Sequence, residues 1–220
     1  MNRLAVFDCD GTLVDSQINI CLAMEDSFAR SELTAPDRNA IRRVVGLSLL
    51  EAVRMLAPDV APELLMQLAE DYKTAFQRLR GRGLIEEPLF DGIAETLAAL
   101  EDAGWLLGVA TGKSDKGLAH CLEYHGLAHR FVTLQTADRH PSKPHPSMIR
   151  QAMAEAGAAP ETTLMIGDTA FDIGMALAAG TTAVGVAWGY HDPHELFAEG
   201  AHHVAAHPGE IVTIAAGVLV

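Results

Sequence analysis

An open α/β fold around a parallel sheet, interrupted after its first strand by a helical insert, is what the sequence predicts. Three observations predict it. Short, nearly continuous apolar runs occur at residues 4–7, 105–110, 131–134, 163–166 and 182–186, the pattern of strands covered on both faces. Between them lie stretches of helical period, and strands alternating with helices give a parallel sheet with right-handed crossovers. Residues 16–87 break the alternation, with four helical stretches and no strand-like run.

Taken in order, Leu4-Ala5-Val6-Phe7 is the first strand, and it ends in Asp8 and Asp10. Residues 18–33, 38–45, 49–56 and 63–79 then read as helices, punctuated by Pro36, Gly46, Pro58 and Pro62. Gly81-Arg82-Gly83 and Pro88 mark the return to the sheet. A single βα unit needs one crossover helix, so four helices form a separate module, spanning residues 16–87 and flanked by hinges. Residues 91–103 are helical by pattern: Ile93, Leu97 and Leu100 recur at i, i+4 and i+7, and Gly104 is placed to stop the helix. Residues 146–156 form another helix, with proline early and Gly157 after its end. No internal repeat or low-complexity tract interrupts this order.

The chain has 220 residues, 49% of them hydrophobic and 20% charged, with a formal charge of −13. That composition is globular, and the acidic balance argues against nucleic acid or an anionic membrane as partner. It does not exclude a small anionic substrate, which needs only a few local cations. No apolar run approaches the ~18 residues of a membrane span. Cys9, Cys21 and Cys121 are scattered, which suggests buried small side chains and a reducing cytoplasm rather than a disulfide framework. The histidines at 191, 194, 202, 203 and 207 lie in polar segments without a matching ligand frame and read mostly as surface residues. Trp188 and Tyr190 read as wall or core, and Asp15 as structural or at the hinge. The spacing leaves monomer and homodimer open.

Ligands of open parallel sheets bind beyond the carboxyl ends of the strands, at a switch in strand order. Asp8 and Asp10 follow the first strand, Thr111 the second, and Asp168 and Asp172 the fourth, while Lys143 lies in the loop before the 146–156 helix. Carboxylates gathered in one place repel unless a cation sits among them. An all-oxygen set favours a hard ion, and magnesium characteristically takes one or two carboxylates together with substrate phosphate. Lysine supplies a compact charge for a phosphate, threonine a hydroxyl donor, and Gly11 backbone that approaches an anion closely.

The run Asp8-Cys9-Asp10-Gly11-Thr12-Leu13-Val14-Asp15-Ser16 resembles the first motif of the haloacid dehalogenase-like hydrolases. Thr111, Lys143-Pro144 and Gly167-Asp168-Thr169-Ala170-Phe171-Asp172 follow in that family's order, so the resemblance spans essentially the whole chain. It implies a Rossmann-like open parallel sheet core, residues 1–15 and 88–220, and a helical cap domain, residues 16–87. It implies Asp8 as the nucleophile that forms an aspartyl-phosphate and Asp10 as the general acid and base. Mg2+ would be held by Asp8, by the Asp10 carbonyl and by Asp168, with Asp172 supporting that shell. Thr111, Gly112 and Lys143 would hold the phosphoryl oxygens. Dehalogenases of the family have no need of a leaving-group acid, so Asp10 favours phosphoryl transfer.

The stretches Arg43-Val44-Val45-Gly46-Leu47-Ser48, Lys143-Pro144-His145-Pro146 and Gly185-Val186-Ala187-Trp188-Gly189-Tyr190 look similar to phosphoglycolate phosphatases. The expected activity is a magnesium-dependent phosphatase acting on a small phosphorylated metabolite, a phosphomonoester that is phosphoglycolate-like or a sugar phosphate. Arg43 and Ser48 of the cap are the candidate leaving-group contacts. The alternatives are a phosphomutase similar to β-phosphoglucomutase, or a silent phosphometabolite-binding protein. Relatives often carry asparagine after the second-motif hydroxyl, and here Gly112 leaves only a backbone amide.

Overall fold

The computed structural model describes residues 1–85 and 87–217; Glu86 of the expected cap segment and residues 218–220 of the expected core lie outside them. Six parallel strands form one sheet in the order β3-β2-β1-β4-β5-β6. They are β1 (Asn2–Phe7), β2 (Trp105–Thr111), β3 (Phe131–Thr136), β4 (Ala158–Gly167), β5 (Thr182–Val186) and β6 (His203–Ala205). The order reverses at the β1/β4 pair, where Phe7 stands beside Ile166. Alternate residues of β1 face opposite sides: Ala5 and Phe7 enter one apolar cluster, Leu4 and Val6 the other. Both faces are therefore buried, as the continuous apolar runs require.

The five expected strands all form, β5 with its expected bounds and the other four with longer ends. β4 begins at Ala158 because Asn2 pairs with Ala158 across a register shift. The short β6, beside β5, was not expected: His203-Val204-Ala205 is too short and polar to show a strand period, and pairing with Val184–Val186 creates it.

Helices α1 (Gln17–Arg30), α2 (Arg38–Arg43), α3 (Leu49–Leu56) and α4 (Pro62–Gly81) lie between β1 and β2. They share an apolar cluster of their own, including Ile20, Met24, Phe28, Ile41, Val53, Leu65 and Leu68. α1 stops before the expected Leu33: Glu32 adopts a left-handed conformation (φ 56°), and the Leu33 N–H donates back to Phe28 O. α5 (Ile93–Asp102) returns the chain to the sheet and buries Ile93, Leu97 and Leu100. Its start is later than the pattern suggests because Gly92 caps it at φ 88°.

α6 (Asp115–Tyr124), α7 (Ser147–Ala156), α8 (Ala170–Ala179), α9 (Pro193–Glu199) and α10 (Gly209–Gly217) complete the layers. The two chain segments linking the helical module to the sheet run side by side: Asp15 N–H donates to Pro88 O and Phe90 N–H to Leu13 O. No helix among the described residues is long and apolar enough to cross a membrane.

Candidate active site

The carboxyl ends of β1, β2 and β4 converge at the switch in strand order and bring Asp8, Asp10, Thr111 and Asp168 to one edge. Asp172 joins them from the first turn of α8, where it completes a capping box with Thr169. Lys143 enters from the loop before α7. Asp8, Asp168, Asp172 and Lys143 are fully or almost fully buried.

Lys143 Nζ stands between two carboxylates, 2.8 Å from Asp8 Oδ2 and 2.7 Å from Asp172 Oδ1. The second contact is a hydrogen bond. The first is off the hydrogen-bonding line and leaves Asp8 Oδ2 without a donor. Asp8 Oδ1, by contrast, accepts from the Cys9 N–H at 2.6 Å. Asp168 is held by the Thr12 hydroxyl at 2.8 Å and the Tyr190 N–H at 2.9 Å. Asp172 Oδ2 accepts from the Thr169 N–H and hydroxyl.

One oxygen each of Asp8, Asp168 and Asp172 lies within 4.8 Å of the others. Three buried carboxylates face one lysine. Burial, opposed by Lys143 and aided by Asp172, pushes the Asp8 carboxyl up to about 7. Burial, then Asp172 and Asp8, raises Asp168 well above the usual carboxylate range. Burial lowers Lys143, but Asp172 and Asp8 outweigh it and hold the ammonium above its ordinary value. An all-oxygen set with surplus negative charge and one orphaned buried oxygen fits a hard divalent cation such as Mg2+.

Glycines let the chain pass this close. Gly11 (φ 82°) runs so near Asp168 that a Cβ would stand 2.2 Å from Oδ2, and one on Gly189 would stand 2.1 Å from Asp168 Cβ. Thr111 Oγ1 accepts from the Lys113 N–H at 3.2 Å, which uses a lone pair and not the hydroxyl proton.

The helical module sits down on this edge. A Cβ on Gly46 would lie 3.2 Å from Thr169 Oγ1 and 3.8 Å from Asp8 Oδ2. Gly112 meets the same loop: a Cβ there would be 2.3 Å from Leu47 O and 2.8 Å from Gly46 O. The space a larger side chain at this position would fill is taken by backbone of the helical module. Ser48 N–H donates to Ser142 Oγ at 2.8 Å, so Ser48 is near the site by its main chain. Arg43 is placed elsewhere: it pairs with Glu195 at 3.0 Å and lines a second cavity beside Trp188.

His191 is a correction to the expected surface histidines. It is buried: its Nδ1 accepts from the Ala170 N–H, and its Nε2 reaches Arg43 O at 3.1 Å. This assigns the proton to Nε2 and makes the ring a tie between α8 and the end of α2. Its neighbourhood in sequence is polar, and only tertiary packing covers it.

Four contributors escaped the sequence reading. Lys113 Nζ lies 2.8 Å from both Asp10 Oδ1 and Glu87 Oε1. Burial lowers its ammonium, but Asp10 and Glu87 more than compensate and hold it well above the ordinary range. Ser16 Oγ also donates to Asp10, and Thr12 orients Asp168. Lys113, two residues past Thr111, carried a signal in its position; Glu87, at the far hinge, carried none.

The family model of the haloacid dehalogenase-like hydrolases matches residues 5–186. A Dickeya dadantii (strain 3937) protein named probable phosphatase IndB is 39% identical over 201 residues, 89% of this chain and 86% of that one. The phosphoglycolate phosphatase of Mesorhizobium japonicum (strain LMG 29417 / CECT 9101 / MAFF 303099) is 33% identical, across 87% of this chain and 85% of its own. A solved haloacid dehalogenase-like family hydrolase of Streptococcus pneumoniae superposes with a TM-score of 0.84 at 26% identity, covering 97% of this chain and 98% of that one. The chain belongs to the haloacid dehalogenase-like hydrolases. It is therefore a hydrolase, and both of the curated relatives above carry the name phosphatase.

Proposed function

We propose that this hydrolase is a magnesium-dependent phosphatase that cleaves a small phosphomonoester through an aspartyl-phosphate at Asp8. The observation that carries the reading is the orphaned Asp8 Oδ2, buried beside Lys143 and two further carboxylates, with Asp10 two residues on. Asp8 and Asp168, with the Asp10 carbonyl and Asp172, are the groups that would hold the ion. When bound, magnesium neutralises the carboxylate cluster and polarises the phosphoryl group.

Asp8 Oδ2 attacks phosphorus, and the bond from phosphorus to the alcohol oxygen breaks. Asp10 gives its proton to the departing oxygen, then takes one from the water that attacks the aspartyl-phosphate. The Asp8 carboxylate is regenerated and inorganic phosphate leaves. Lys143, the Thr111 hydroxyl and the Gly112 amide offset the charge that spreads over the phosphoryl oxygens. Residues 16–87 act as a cap over the core, excluding bulk water from the intermediate.

Phosphate release from a panel of phosphorylated acids, sugars and alcohols, with and without EDTA, tests the proposal, and product analysis separates hydrolysis from isomerisation. Release is expected only with the divalent ion present and only with Asp8 intact. Release that survives both EDTA and Asp8→Asn refutes the mechanism.

A further inference from the structure

Resting on the phosphatase reading, we infer that the substrate's leaving group is a mainly apolar, ring-sized body rather than a short carboxylate such as glycolate. A cavity of about 450 Å³ opens between the helical module and the sheet edge, with Asp10 in its wall. Asp10 is the residue that protonates the departing oxygen, so the group attached to that oxygen extends into this space. Cavities of this size hold ligands far larger than a two-carbon acid.

Much of the lining is apolar and aromatic. Ile20 and Met24 come from α1, Val45 and Leu49 from the loop and helix that follow α2, and Tyr72 and Phe76 from α4. Their residues belong to the apolar cluster of the helical module, so a ring entering here displaces water from hydrocarbon.

Four cations also line the cavity, and the one placed beside Asp10 is not free for a carboxylate. Lys113, next to Asp10, is already shared by Asp10 and Glu87. Lys73 is exposed and paired with Glu70 at 2.7 Å, and Lys116 is exposed. The Arg80 guanidinium lies over the Phe76 ring, 5.4 Å from its centroid. Arg42 and Arg43 line the other cavity. A glycolate carboxylate would stand next to Asp10 and meet a lysine whose charge is spoken for twice.

The experiment compares kcat/KM for ethyl, butyl, hexyl and benzyl phosphate with that for 2-phosphoglycolate. The four esters release primary alkoxides of similar reactivity, so differences among them report on the cavity. The series is expected to rise by up to about fourfold per buried methylene, with benzyl phosphate at least about tenfold above ethyl phosphate. 2-Phosphoglycolate is expected to do no better than ethyl phosphate. Phe76→Ala, at a half-buried position, is expected to lower the benzyl-to-ethyl ratio. A flat series, or a clear preference for 2-phosphoglycolate over ethyl phosphate, overturns the inference and leaves the phosphatase reading standing. No phosphate release from any member, by protein that hydrolyses 4-nitrophenyl phosphate, overturns this inference alone, whereas protein that melts cooperatively and releases phosphate from no ester, sugar phosphates included, refutes the phosphatase reading with it.

Discussion

Asp8→Asn should stabilise the metal-free protein while abolishing its activity. The folded protein holds the Asp8 carboxyl at about 7 against a reference of 3.8, chiefly through burial. At ~1.4 kcal/mol per pH unit, that gap amounts to about 4 kcal/mol of native-state penalty for the ionised form. Asparagine removes the charge. Its amide brings a donor near Lys143, costing about 1–2 kcal/mol, which leaves a net gain of about 2–3 kcal/mol. For a chain of this size that is a rise of about 4–12 °C in melting temperature.

The pH dependence fixes the sign of the effect. A carboxyl whose folded pKa is raised stabilises the fold fully below the unfolded value, and that contribution is lost as pH climbs through the folded value. The advantage of the variant should therefore widen by about 2–3 kcal/mol between about pH 5 and pH 8. Thermal melts in EDTA across that range measure it. A lower melting temperature for the variant at pH 8 in EDTA, or a gap that does not change with pH, would refute the reasoning.

Further outcomes follow from the same geometry. Magnesium at ~100 times its dissociation constant should stabilise the wild-type protein by about 2.7 kcal/mol, and Asp168→Asn should remove most of that increment in a melting titration. Gly112→Asn should force the loop at Leu47 off the sheet edge, because its Cβ would meet Leu47 O at 2.3 Å. A cost of about 1–3 kcal/mol in stability is expected from such overpacking, with a raised KM, read by denaturant melts and steady-state kinetics. Lys113→Met should destabilise by about 3–5 kcal/mol by leaving Asp10 and Glu87 face to face. Adding Glu87→Gln to that variant should recover part of the loss in urea unfolding.

The sheet was legible because its strands are buried on both faces and so read as continuous apolar runs, as at Leu4 to Phe7. The candidate site was legible where a chemical residue closely follows such a run, as Asp8, Thr111 and Asp168 do. What the sequence hid depends on contacts between distant segments. His203 to Ala205 becomes a strand only by pairing with β5. His191 looks solvated in its own neighbourhood and is buried by α8 and the end of α2. Glu87 looks like any surface acid until the second hinge carries it to Lys113. Gly112 shows only a missing side chain, whereas its meaning lies in the Gly46 and Leu47 carbonyls that occupy the space.

The central claim is that Asp8 carries the phosphoryl group. Asp10→Asn keeps the nucleophile but removes the base for the second step, and 4-nitrophenyl phosphate needs no acid to release its phenolate. Mixed rapidly with that substrate and magnesium, the variant should give a burst of about one nitrophenolate per site. Acid-quenched protein should then carry a hydroxylamine-labile phosphoryl group that maps to the peptide containing Asp8. Slow turnover without a burst, or a phosphoryl group mapped to any other residue, would contradict the account.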